Sequence, residues 1–194
     1  MAITIERIKE LRDLTGVSVM QCKKALEQAE GDLEKAKVIL RKQSAAAATK
    51  KADRTLGAGI ASAYTHAGGQ VMGAVVLGCE TDFVARNPDF GKLAHDIAMH
   101  VAAMDPIWKD KSGASESDLS AAKSVFEQEV AKLPEGSRAK ALEGKLASFV
   151  AEKALLEQAF VKDSERTVRQ LIEEAIQKFG EKIEITRFER LSVK

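Results

Sequence analysis

Apolar residues in the first 45 positions recur every three or four residues, which is the spacing of an amphipathic helix. Thr4 can cap a first helix that Gly16 ends, and Ser18 begins a second helix with capping-box spacing. Asp32 can cap a third helix. Three such helices can bury one another's apolar faces, so the pattern predicts a three-helix module over residues 1–45. The predicted buried stripe comprises Ile5, Ile8, Leu11, Cys22, Ala25, Leu26, Ala29, Leu33, Ala36, Ile39 and Leu40.

The amphipathic pattern stops in residues 46–54, which are rich in alanine and basic side chains. Alanine favours helix but offers little surface for packing. This segment is therefore predicted to be a linker, which can itself be helical. The domain boundary is placed near Arg54, and residues 55–194 are predicted to form a core and dimerisation region.

Strand and helix signals are mixed in the predicted core. Residues 58–80 contain two apolar runs on either side of Gly68-Gly69, which predicts a β-hairpin. A helix is predicted from Pro88 to Met104, where Asp105-Pro106 ends it. Further predicted elements are helices at 118–133, 138–157 and about 165–179, and a final strand from Lys182 to Leu191. The predicted fold class is α+β: a three-helix module that resembles ubiquitin-associated (UBA-like) folds, plus a small antiparallel sheet covered by helices.

The composition argues against several classes of protein. Of 194 residues, 45% are hydrophobic and 30% charged, and the formal net charge is +1. A dedicated nucleic-acid binder usually carries a basic excess, so direct nucleic-acid binding is not expected. The sequence shows neither a signal-peptide pattern nor a long apolar span, which favours a cytoplasmic protein without membrane contact. Cys22 and Cys79 are expected to be separate buried thiols, with a disulfide between them as the alternative.

Residue patterns typical of catalysis are missing from the sequence. Gly57-Ala58-Gly59 precedes a predicted strand, whereas the glycine-rich loop of dinucleotide-binding proteins follows one. His95 and His100 are five residues apart, which does not place two metal ligands on one helical face, and a helix-surface or interface role is expected for them. Neither cysteine has a histidine nearby in the sequence. We therefore expect no enzyme, no cofactor and no metal site.

The segment from Cys79 to Arg86 (CETDFVAR) lies between a predicted strand and a predicted helix. Asn87 can cap that helix, and Pro88 suits its first position. Asp82 and Phe83 therefore lie side by side on a short loop held at both ends, which we interpret as a rigid probe of a partner protein. The alternatives are that Phe83 is a core residue at the strand–helix corner and that Asp82 stabilises the next helix through its dipole.

This segment and the stretch from Leu11 to Leu26 together resemble the elongation factor Ts family, the nucleotide exchange factors of bacterial translation. The likeness continues through His95–His100, Phe160–Asp163, Thr167–Leu171 and Arg187–Glu189. Four positions depart from the residue usual in the family, namely Val19, Val76, Gly78 and Ala159. The chain is also similar to short-form members, which have one core and no trailing module and are thought to act as homodimers.

The resemblance implies two contacts with elongation factor Tu. The N-terminal module would dock on the partner's GTPase domain through Arg12, Val19 and Met20, although packing inside the module is the alternative for Val19 and Met20. The second contact would be the probe segment, which would intrude beside the partner's Mg²⁺ and phosphate site and promote GDP release. The positions implied for this second contact are Thr81, Asp82, Phe83 and Val84, with His95 and His100 near another domain of the partner.

Other surfaces and functions follow from the same sequence. A homodimer would use the helices at 118–133 and 138–157 together with the core sheet, whereas the alternative for these helices is packing within one chain. A general adaptor with a small helical binding domain is the competing function, but an adaptor does not need the probe segment. RNA binding through Lys50, Lys51 and Arg54 is a further alternative, for which a linker with solvated basic residues is the simpler explanation.

Overall fold

The computed structural model describes residues 3–193. Its N-terminal helices are α1 (Ile5–Thr15), α2 (Val19–Gln28) and α3 (Leu33–Lys51). They precede β1 (Ala58–His66), β2 (Val71–Cys79), α4 (Asp82–Ala85), α5 (Pro88–Met104), α6 (Glu116–Val130) and α7 (Glu135–Lys153). The last elements are β3 (Ala159–Phe160), β4 (Asp163–Thr167), α8 (Val168–Phe179) and β5 (Glu184–Ser192). The α+β class with a small antiparallel sheet is confirmed, whereas the UBA-like likeness of the N-terminal helices stays a prediction.

The three N-terminal helices begin at the residues that the sequence pattern indicates. The Thr4 hydroxyl accepts from the Arg7 amide, and the Ser18 and Asp32 side chains cap α2 and α3 in the same way. Gly16 ends α1 in the left-handed conformation with φ of 67°, which residues with a side chain rarely adopt. The buried cluster that joins the helices comprises Leu11, Val17, Cys22, Ala25, Leu26, Ala29, Ala36 and Leu40. Ile5 is 80% exposed, so its predicted burial is wrong.

Helix α3 continues through most of the segment that the sequence analysis assigns to a linker. It runs without interruption to Lys51, so residues 46–51 are helical. Near its middle, the Ser44 hydroxyl donates to the amide oxygen of Gln177 on α8. The N-terminal helices therefore contact a later helix, and the domain boundary near Arg54 stays a prediction.

The chain forms two compact units, and neither of them is a continuous stretch of sequence. Among the described residues, the first unit contains residues 3–63, Val75–Asp96 and Arg169–Arg187. The second unit contains Tyr64–Ala74, Ile97–Val168 and residues 188–193. Both units contain strand residues, because β1, β2 and β5 each contribute to both.

In the first unit, strand β2 alternates between a buried and a less buried face. Val75, Leu77 and Cys79 are buried, as are Ile183 and Ile185 before and within β5. The strand order is β1-β2-β5, and the predicted β1–β2 hairpin is confirmed, with a short 3-10 turn at Ala67–Gly69. In the same unit, the Phe90 ring on α5 lies 5.9 Å from the Phe179 ring on α8 at an edge-to-face angle of 85°.

The second unit contains the two long helices α6 and α7. Their aromatic residues pack against each other: the rings of Phe126 and Phe149 are 6.1 Å apart, and Trp108 lies 6.0 Å from Phe149. Both helices begin and end two to four residues earlier than predicted, which does not alter the helical hairpin. Phe149 therefore has partners within its own chain.

The predicted helix from about residue 165 is wrong at its start. Residues 163–167 form β4, which pairs antiparallel with β3, and α8 begins only at Val168. Phe160 pairs with Asp163 across a connection of two residues. The polar sequence of β4 lacks the apolar alternation of a half-buried strand, so the pattern could not identify it.

His100 is buried in the second unit, so the predicted helix-surface role of this residue is wrong. Its side chain is 0% exposed and lies on the same side of α5 as the buried residues Ile97 and Val101. The backbone amide of Val161 donates to His100 Nδ1 at 3.2 Å, and Nε2 lies 2.9 Å from Gln158 Oε1. With Nδ1 accepting, Nε2 carries the proton and donates to Gln158, so the imidazole is neutral.

Burial of His100 makes the stability of the fold depend on pH. Burial lowers the pKa of His100 below its ordinary value, and the hydrogen bond to Gln158 opposes that shift only in part. The unfolded chain then binds a proton more readily than the folded chain. We therefore expect the contribution of His100 to the free energy of unfolding to be constant above about pH 6.5. Below that pH this contribution should fall by at most about 1.4 kcal/mol per pH unit.

Chemical denaturation of the parent, His100→Gln and His66→Gln across about pH 5 to 8 measures this dependence. His66 is exposed and serves as the matched control. The slope between pH 5 and 6.5 is expected to decrease in His100→Gln and to persist in His66→Gln. An equal slope in all three proteins would assign the pH dependence to other groups.

Candidate partner-binding site

The predicted short loop after β2 contains a single turn of helix, α4, which the sequence analysis did not predict. Thr81 has an extended backbone, and its hydroxyl accepts from the Val84 amide at 3.4 Å, which makes it the cap of α4. Two residues after α4, the Asn87 side chain accepts from the Asp89 amide at 2.9 Å and caps α5. Two caps only six residues apart produce a sharp, hydrogen-bonded corner between β2 and α5.

This corner separates two adjacent apolar side chains. Phe83 is 82% exposed, whereas Val84 is only 4% exposed. The alternative that Phe83 is a core residue is therefore wrong. Val84, in turn, lacks the surface for the partner contact that the resemblance implies, and it anchors the turn instead. An exposed phenylalanine on a turn that is anchored on both sides is available as an aromatic anchor for a partner protein.

Asp82 lies beside Phe83 and pairs with Arg86. Asp82 Oδ2 is 3.0 Å from Arg86 Nη2, and both side chains are mostly exposed. Such an exposed pair contributes about 1 kcal/mol or less to stability. Asp82, Phe83, Arg86 and Asn87 line an open concavity of about 330 Å³. The carboxylate, the guanidinium and the aromatic ring are therefore all accessible to a partner.

Two glutamates fix the base of this turn to the segment that follows α8. The Glu181 carboxylate accepts from the backbone amides of Glu80 and Thr81, both at 3.0 Å, and from the Thr81 hydroxyl at 2.6 Å. Conversely, the Glu80 carboxylate accepts from the Lys182 amide at 2.5 Å and from Arg54 at 3.1 Å. The Lys182 amide and, to a lesser extent, Arg54 hold the pKa of Glu80 below its usual range.

Both cysteines are buried free thiols, as the sequence analysis predicts. Cys79 lies at the end of β2, and its thiol donates to the Thr81 carbonyl at 3.2 Å. Burial raises the pKa of the Cys22 and Cys79 thiols above the ordinary value. Both are therefore protonated at neutral pH, which makes them poor nucleophiles.

Of the residues implied in docking, Val19 and Met20 lie at the start of α2 and Arg12 lies on α1. Met20 is 63% exposed and Val19 is 51% exposed, so the alternative that they pack inside the N-terminal helices is wrong. Arg12 is also exposed, and Leu14 adds apolar surface nearby in the sequence. Ser18 caps α2 and thereby places Val19 and Met20 in its first turn.

The two histidines of α5 differ in their surroundings. His95 is exposed, whereas His100 has no exposed surface with which to contact a partner. No group of three or more His, Cys, Asp or Glu side chains that could hold a metal ion occurs among residues 3–193. Along that same part of the chain, no helix combines the length and apolar content that are needed to cross a membrane.

Sequence reasoning missed Glu181 and Lys178, which support the site from a distant part of the chain. Lys178 Nζ lies 2.7 Å from Asp89 Oδ2 at the start of α5, and the Lys178 side chain also passes beside Gly16. Glu181 contacts residues about one hundred positions earlier. No local pattern connects such positions, so only the fold reveals these contacts.

Comparison with known proteins identifies the family that this chain resembles. The family described as Elongation factor TS matches residues 48–194. The elongation factor Ts of Thermosipho melanesiensis is 44% identical over 193 residues, which cover 98% of this chain and 98% of that protein. That of Thermotoga maritima is 42% identical and covers 100% of this chain and 97% of the relative. That of Koribacter versatilis is 44% identical and covers 100% of this chain and 89% of the relative.

Proposed function

Because this chain belongs to the elongation factor Ts family, we propose that it binds elongation factor Tu in its GDP-bound and nucleotide-free states and promotes the release of GDP. Release would allow GTP to reload. The observation that carries the proposal is the exposed Phe83 ring on the capped turn α4, next to the Asp82 carboxylate. In this proposal, Asp82 and Phe83 insert near the Mg²⁺ and phosphate site of the partner.

The mechanism is differential binding. GDP is held through charge-assisted hydrogen bonds to its phosphates and through a Mg²⁺ ion that requires near-ideal octahedral geometry. A side chain that displaces the elements around that ion weakens both interactions. A thousandfold faster release requires a barrier lower by about 4 kcal/mol. Since coupling between two ligands is reciprocal, bound GDP weakens binding of this protein by the same factor.

Two separate surfaces of this chain would contact the partner, one for docking and one for promoting GDP release. Arg12, Val19 and Met20 would dock on the GTPase domain of the partner, and their exposure supports that assignment. Thr81 and the buried Val84 would hold the turn that carries Asp82 and Phe83, as their cap and anchor positions support. His95 would contact another domain of the partner. His100 is left out of the contact surface because it is buried.

In this proposal the protein acts without making or breaking a covalent bond, so it is not an enzyme in the chemical sense. It would need no cofactor or metal of its own and would make no direct contact with nucleic acid or membrane. Its place of action would be the cytoplasm, where its proposed partner serves translation. The two buried, protonated thiols are consistent with a role in binding rather than catalysis.

We further propose that two copies form a homodimer through the open face of the sheet. In the first unit, Gly59, Ala61 and Ala63 on β1 are exposed, as is Val76 on β2. Small side chains on a flat sheet allow a second sheet to approach closely. Phe149 already packs against Phe126 and Trp108, which supports packing within one chain for α6 and α7. Sedimentation equilibrium decides the matter, since a monomeric mass at micromolar concentration would contradict the dimer.

Release of fluorescent GDP from elongation factor Tu of the same organism tests the proposed function. We expect the rate to rise with the concentration of this protein, to saturate, and to exceed the spontaneous rate by orders of magnitude. A titration in which the protein binds the partner but leaves the release rate unchanged would support the adaptor function instead. Absence of both binding and acceleration would contradict the proposed partner.

A further inference from the structure

Turn α4 is too short to hold its own orientation. A helix of four residues forms few internal hydrogen bonds, and the first turn of any helix is unfavourable by itself. The direction of the exposed Phe83 ring therefore depends on what fixes the two ends of the turn. The buried Val84 anchors the end that follows Phe83. Glu80 and Thr81 precede the turn, and Glu181 contacts both of them.

The chain brings Glu181 to this place through the end of α8. Gly180 adopts φ of 74°, and its amide donates to the Ile176 carbonyl, so α8 ends there in a left-handed turn. The reversal places Glu181 beside the last residues of β2. Its carboxylate then receives hydrogen bonds from two backbone amides and from the hydroxyl of Thr81, at distances between 2.6 and 3.0 Å.

These are hydrogen bonds to an ionised acceptor, which are stronger than those between neutral groups. One carboxylate oxygen bonds both amides, and the other bonds the Thr81 hydroxyl that also caps α4. Glu181 therefore fixes the backbone and the side chain of the cap residue together. Phe83 is only two residues further along, so a change in the Thr81 geometry is transmitted to the ring.

A reciprocal set of contacts holds Glu181 itself in place. The neighbouring Lys182 amide donates to the Glu80 carboxylate, and Lys182 Nζ donates to the Ala52 carbonyl after α3 at 2.7 Å. Arg54 also donates to the Glu80 carboxylate. The segment after α8 and the end of β2 are thus joined by two reciprocal contacts. Glu181 accepts from the residues after β2, and Glu80 accepts from the residue after Glu181.

We infer that Glu181 is a positioning residue for nucleotide exchange, acting through Thr81 on the orientation of Phe83. This inference rests on the proposed function. A mobile Phe83 ring must be ordered before it can displace its target. The free-energy cost of that ordering raises the barrier to GDP release and so lowers the maximum release rate. Docking through α1 and α2 uses other side chains. Loss of Glu181 should therefore reduce the maximum rate of GDP release without changing the concentration that gives half of it.

Titration of GDP release with Glu181→Ala, Glu181→Gln and Glu34→Ala tests the inference. Glu34 is an exposed carboxylate on the first turn of α3 and is the matched control. We expect a maximum rate about tenfold lower for Glu181→Ala, a smaller loss for Glu181→Gln, which keeps one carbonyl acceptor, and the parental rate for Glu34→Ala. The half-saturating concentration should stay within about twofold of the parental value in all three.

Two further measurements separate positioning from a general loss of stability. In Phe83→Ala, the additional change Glu181→Ala should have little further effect, because the two residues act in series. In the free protein, Glu181→Ala should accelerate hydrogen exchange at the amides of Thr81, Val84 and Ala85 while the amides of α5 stay protected. An equal tenfold loss in the Phe83→Ala background, unchanged amide exchange, or a parental maximum rate would each overturn the inference. If the parent protein fails to accelerate release, the proposed function is overturned and this role of Glu181 with it.

Discussion

Phe83→Ala should lose most of its GDP-release activity while its stability stays close to that of the parent. The ring is 82% exposed, so its removal leaves no cavity, and exposed substitutions typically change stability by about 0.5 kcal/mol or less. In the proposed complex, however, truncating a buried aromatic anchor to alanine costs about 2 to 4 kcal/mol. That range corresponds to a maximum rate about thirtyfold to a thousandfold lower.

Denaturation and GDP release should be measured on the same preparations of Phe83→Ala and Phe83→Leu. Leucine keeps an apolar side chain of substantial size and should retain part of the activity if the ring acts as a wedge. A parental release rate in Phe83→Ala would contradict the wedge. A large loss of stability in this variant would contradict the exposed position of the ring.

Phe90→Ala should produce the opposite result, although it makes the same chemical change seven residues later. Phe90 is 0% exposed, and its ring packs edge-to-face against Phe179 at 5.9 Å. Removing a fully buried phenylalanine leaves a cavity and typically costs about 3 to 5 kcal/mol. Since the whole free energy of unfolding of a domain is about 5 to 15 kcal/mol, a large part of the stability would be lost.

Urea denaturation of the parent, Phe83→Ala and Phe90→Ala measures this difference directly. The midpoint should fall markedly in Phe90→Ala and stay near the parental value in Phe83→Ala, with similar slopes in all three proteins. A decrease in the free energy of unfolding of less than about 1 kcal/mol in Phe90→Ala would contradict this expectation, because it would show that the surrounding side chains fill the space of the missing ring. The pair of variants thus tests whether Phe83 on α4 is exposed and Phe90 on α5 is buried.

Features that depend on nearby residues could be predicted from the sequence. The caps at Thr4, Ser18 and Asp32 bond amides only three residues away, and the Gly68-Gly69 turn joins adjacent strands. The probe segment is identified in the same way, because it lies between a strand signal and a helix signal. Its helical turn cannot be predicted, since four residues give too short a pattern to distinguish a turn of helix from a loop.

Features that depend on distant residues could not be predicted. The contact between Glu181 and Thr81 joins segments about one hundred residues apart, and the polar strand β4 is defined by its partner rather than by its own pattern. His100 is a different case. It lies on the same side of α5 as Ile97 and Val101, so the apolar stripe of that helix indicates burial, whereas the predicted surface role follows only from its spacing to His95.

The position of Lys178 bears on how two weak contacts can produce strong binding. This residue lies beside Gly16, between α1 and α2, and also pairs with Asp89 at the start of α5. The surface around Met20 and the ring of Phe83 are thus carried by one compact unit. In the proposed complex with elongation factor Tu, binding through one of them would hold the other near its target at the high effective concentration of a chelating ligand. Phe83 would then need only modest affinity of its own, so it would dissociate readily when the nucleotide rebinds.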